Sequence, residues 1–86
     1  MDKTVLELLV NKKLREGIWK TDRDLETDIL QVEHTIYGKP QHDVKRLIWK
    51  LSCLKLALKV LPDDENLQKM YADTDEMCRY IDENLL

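Results

Sequence analysis

The chain has 86 residues, 43% apolar and 36% charged, with a formal net charge of −3 at pH 7. That length holds one domain with a modest core and excludes two domains that each bury one. An acidic balance is the reverse of what a polyanion-binding domain usually shows overall, and with two Gly, two Pro and a single Ser no flexible linker or low-complexity segment interrupts the chain.

The first apolar period runs over residues 3–16, where Val5, Leu8 and Leu9, with Leu6 and Val10, predict a helix closed by Gly17. Lys12, Lys13 and Arg15 suit its last turn, facing the negative end of the helix dipole. A second helix is expected over 22–37. Thr21 and Asp24 resemble a capping box at its start, Leu25, Ile29, Val32 and Ile36 draw one stripe, and Gly38 followed by Pro40 ends it.

The third helix, expected over 41–61, carries two stripes. Val44, Leu47, Leu51, Leu54, Leu58 and Leu61 form one, and Trp49, Cys53, Leu56 and Val60 form the other. At ~100° per residue the two lie on opposite sides, so this helix needs cover on two faces. Pro62 stops it. The fourth helix, expected over 64–84, starts on Asp63, Asp64 and Glu65, with Asp63 as the N-cap, and carries a stripe of Leu67, Met70, Thr74, Met77, Ile81 and Leu85. The expected fold is all-α, a single domain spanning 1–86, built as a small four-helix bundle from two helical hairpins. In the second hairpin a cationic helix meets an anionic one. Residues 39–60 hold six Lys or Arg against one acid, and residues 61–86 hold eight acids against two basic residues.

The residue types that carry chemistry are scattered. Asp22, Asp24, Glu26, Asp28 and Glu33 stand at the ligand positions of a calcium loop, but Thr27 occupies the place of the Gly that such a loop needs for its turn. The helical stripe through the same residues explains them more simply. His34 and His42 do not have zinc spacing, and Ser52 has no Gly-rich turn to expose it. In an antiparallel hairpin Cys78 lies ~7 Å beyond the level of Cys53, too far for a disulfide. No catalytic residue, metal site or cofactor is therefore expected.

No apolar run approaches the ~18–20 residues of a membrane span, and the charged opening of Asp2, Lys3 and Glu7 lacks the layout of a signal peptide. The expectation is a cytoplasmic protein with reduced thiols and no membrane partner. Its expected function is that of a non-enzymatic protein–protein interaction module: an adaptor, a regulatory subunit or an inhibitor, acting alone or as a homodimer. Candidate partner-binding residues are Trp49, Cys53, Leu56 and Val60 of the second stripe, together with Asp73, Asp75 and Glu76 of the acidic fourth helix. The stripe is either a surface for another chain or is covered by helix one or two of the same chain. The alternative is nucleic-acid or polyanion binding through Lys45, Arg46, Lys50, Lys55 and Lys59 on the third helix. The terminal Leu85 and Leu86 either dock or fray.

Overall fold

The computed structural model describes residues 3–84, and Leu85 and Leu86 lie outside the described residues. Four helices follow one another, α1 (Lys3–Glu16), α2 (Asp22–Tyr37), α3 (Asp43–Val60) and α4 (Glu65–Asn84). Local chemistry fixes most of the boundaries. The Thr21 hydroxyl accepts from the Asp24 amide at 3.2 Å, and Gly38, at φ 75°, donates its N–H to the His34 carbonyl at 2.9 Å. That left-handed cap favours glycine. Gly17 closes α1 with a 2.8 Å bond to the Lys13 carbonyl.

Three boundaries differ from the sequence expectation: α3 ends at Val60, with Leu61 as its C-cap, and the starts of α3 and α4 shift as well. Helix α3 begins at Asp43 rather than at 41, because the Gln41 amide is held by Glu33 and its carbonyl by Arg46. His42 is the N-cap, its Nδ1 accepting from the Val44 amide at 3.2 Å. Helix α4 begins at Glu65, and its cap is Asp64 rather than Asp63: Asp64 Oδ1 accepts from the Leu67 amide at 2.9 Å. A turn bond from the Asp64 amide to the Leu61 carbonyl selects the second of the two adjacent acids.

Helix α3 is the hub. Each of α1, α2 and α4 makes its main contact with it. Leu47 and Leu51 meet Ile81 of α4, while Trp49 and Leu56 on the opposite side face the α1 core residues Leu6 and Val10. Helix α2 lies along a third side, reached by Arg46 and Lys50. Extents of 37 × 31 × 21 Å fit this plan, since 21 Å accommodates two layers of helices about 10 Å thick. Helices α1, α2 and α4 thus pack around α3, and among the described residues the side of α3 that carries Ile48 has no helix over it.

The core also draws on a residue outside the helices. Trp19, in the short link between α1 and α2, is buried, and its indole N–H donates to Asp28 Oδ2 at 2.7 Å. Lys13 approaches the same oxygen at 3.5 Å, so Asp28 ties α1, the link and α2 together. On α1 the core positions are Leu6 and Val10, one helical turn apart, whereas Leu8 points away from α3 and is exposed.

Candidate protein interface

Most of the charged residues that drew attention in the sequence hold the fold together. Glu33 is fully buried and accepts from two donors, the Gln41 amide at 2.7 Å (Oε2) and Arg46 Nε at 3.3 Å (Oε1). Arg46 also donates to Asp43 at 2.8 Å and to the Gln41 carbonyl at 3.0 Å. Burial opposes the charge on its guanidinium, but Glu33 and Asp43 outweigh that and hold its pKa above the ordinary value. Lys50 is buried as well, with Nζ 3.0 Å from Glu26 and 3.2 Å from Asp22.

These pairs also occupy the calcium-like series. Asp22 and Glu26 go to Lys50, Asp24 sits at the α2 cap near the Lys20 amide, Asp28 goes to Trp19 and Lys13, and Glu33 goes to Arg46. Of the five candidate polyanion contacts, Arg46 and Lys50 are thus engaged within the chain, while Lys45, Lys55 and Lys59 are exposed.

The second stripe of α3 divides. Trp49 and Cys53 lie in the chain's own core, Trp49 reaching the floor of an open groove between α1 and α3; Leu56 is half-buried and Val60 is exposed. Trp49 is further covered by Tyr37, stacked at 6.3 Å between ring centroids and 12° between planes. Burial, aided by the negative charge of Asp28, pushes the Cys53 thiol up to about 12, leaving it a neutral apolar group at physiological pH. Cys78 on α4 is half-buried and also shifted upward, by desolvation and by Asp75 and Asp82, with Lys50 and Lys55 acting the other way.

Helix α4 presents a different surface. Its inner side buries Leu67, Met70 and Thr74 against α3, but Met77 and Tyr80 are 54% and 62% exposed. With Glu76 and Ile81 they line a shallow depression of about 240 Å³. Asp73 and Glu83 are exposed on the adjacent turns, whereas Asp75 is half-buried and paired with Arg79 at 3.0 Å. Asp73 and Glu76 thus lie beside two large exposed side chains that the sequence did not single out as a surface. Spacing alone set Met77 in the buried stripe, and it gave no reason to notice Tyr80.

No protein-family model, curated protein or solved structure matches this chain. No described helix is long and apolar enough to cross a membrane.

Proposed function

We propose that this chain is a non-catalytic protein–protein interaction module whose α4 outer face receives a basic amphipathic segment of another protein. The exposed pair Met77 and Tyr80, flanked by Asp73, Glu76 and Glu83, carries the reading. Tyr and Met are enriched in interface cores, and a rim of one charge sign selects the opposite sign and speeds encounter. Helix α4 rests mainly on α3, which leaves its other side for a helix laid alongside it. An adaptor, a regulatory subunit or an inhibitor would each use such a face. Two free thiols suit the reducing cytoplasm, where we place the protein.

The test is affinity capture from cell extract with wild type, Tyr80→Glu, Glu76→Lys and Leu8→Glu, the last being an exposed residue on the helix across α3. The expected outcome is a captured protein with a basic segment, retained by wild type and Leu8→Glu, lost with the two α4 variants and released by salt. Equal capture by all four chains removes the reading.

A further inference from the structure

The side of α3 left without a helix is marked by Ile48, 53% exposed although it sits between two apolar grooves. The larger, about 450 Å³, lies between α1 and α3 over Leu6, Trp49 and Leu56, with Lys3, Lys55 and Lys59 at its edges. The smaller, about 220 Å³, lies between α3 and α4 over Leu47, Leu51 and Ile81, with Asp82 at its edge. Ile48 lines both grooves, so they belong to one continuous face. That face carries Lys3, Lys55 and Lys59 on its α1 side and Asp82 on its α4 side, while Asp75, two turns before Asp82, is already paired with Arg79.

We infer that this face binds a second copy of the chain, forming a two-fold dimer centred on Ile48. A patch with a grease centre and opposite charges on its two flanks is complementary to itself. A two-fold axis in the contact plane, parallel to α3, turns the lysine flank of each copy onto the acidic flank of the other, as an isologous interface requires. The Ile48 side chains of the two copies then meet at the axis, with the apolar grooves beside them facing each other. An axis across α3 would set lysine against lysine, so the charges also select the orientation. The broad side of the molecule, 37 × 31 Å, has room for the ~800 Å² per partner that a standard interface buries. The inference does not rest on Met77 or Tyr80 of the α4 outer face, which adjoins this face at Ile81.

The experiment is the solution mass of the full chain by sedimentation equilibrium up to ~0.1 mM, a range that detects dimers of micromolar affinity. Wild type is expected at twice the 10.2 kDa chain mass. Ile48→Glu, at an exposed position, keeps its helicity and weakens the dimer roughly 30-fold or more, the loss of a central hot spot. Lys55→Glu and Asp82→Lys each weaken it, and the two substitutions combined in one chain restore it. A monomeric wild type, an Ile48→Glu variant that stays dimeric, or a dimer broken instead by Tyr80→Glu overturns the inference. A monomer that still captures a basic partner through α4 removes the dimer alone and leaves the proposed function standing.

Discussion

Replacing Glu33 by Gln takes one acceptor from a buried position that uses two. The carboxylate serves the Gln41 amide at 2.7 Å and Arg46 Nε at 3.3 Å, whereas an amide has one oxygen, and whichever donor loses faces an NH2 group instead. An unsatisfied buried donor costs about 1–3 kcal/mol, and the surviving bond loses its charge assistance. Arg46 keeps Asp43 at 2.8 Å and the Gln41 carbonyl at 3.0 Å, so the loss stays below the ~3–5 kcal/mol of a fully stranded buried charge. The expected cost of Glu33→Gln is about 2 kcal/mol in urea unfolding. At ~4–8 °C per kcal/mol for a domain of this size, Tm falls by roughly 8–16 °C. In an Arg46→Met background one of the competing donors is gone, the single oxygen can serve the Gln41 amide, and Glu33→Gln costs about 1 kcal/mol less. A Glu33→Gln variant within ~0.5 kcal/mol of wild type, the range of ordinary surface substitutions, refutes the reasoning.

Lys50→Met tests the opposite case. Its partners Asp22 and Glu26 have side chains 46% and 49% exposed, so water takes them up when the cation goes; the unfolding free energy should stay within ~1.5 kcal/mol of wild type, and a loss beyond ~3 kcal/mol contradicts this. For Cys53, a thiol pKa raised to about 12 means that the unfolded chain releases the proton first as pH rises. The neutral thiol's contribution is therefore complete below the unfolded value and is lost between about pH 9 and 12, at roughly 1 kcal/mol per pH unit. Comparing alkaline urea curves of wild type and Cys53→Ala isolates that slope from the lysines and tyrosines titrating alongside; parallel curves refute it. In the native protein a thiol reagent should modify Cys78 well before Cys53, as mass spectrometry of partly labelled chains would show.

The helix boundaries were most legible where the signal is local. Thr21 with Asp24, Gly17 and Gly38 are caps whose partners lie within four residues, and α1 and α2 run as expected from them. The start of α3 was not legible, because what holds Gln41 out of the helix is Glu33, eight residues back on another helix. Opposite stripes on α3 told correctly that two of its faces need cover, and the structure supplies that cover from α1 and α4 within the chain. The same stripes could not say that Arg46 and Lys50 point at acids of α2, since nothing in the spacing of α3 registers the angle at which α2 crosses it. Trp19 escaped for a related reason: in a five-residue link there is no period to read, although a Trp placed between two amphipathic helices is itself a signal of burial. Exposure of Met77 depends on how far α3 reaches around α4, which the α4 pattern does not contain.

Because the three outer helices all lean on α3, the architecture resembles spokes rather than a closed ring. Apart from the tie that Asp28 makes between α1 and α2, altering one spoke leaves the others seated, so the outer helices can drift in sequence with largely local effect. The 18 residues of α3 answer to three different neighbours at once, and almost any change there must be matched by a compensating change elsewhere. Sequence variation among descendants of this chain should therefore accumulate at the rim and avoid the axle.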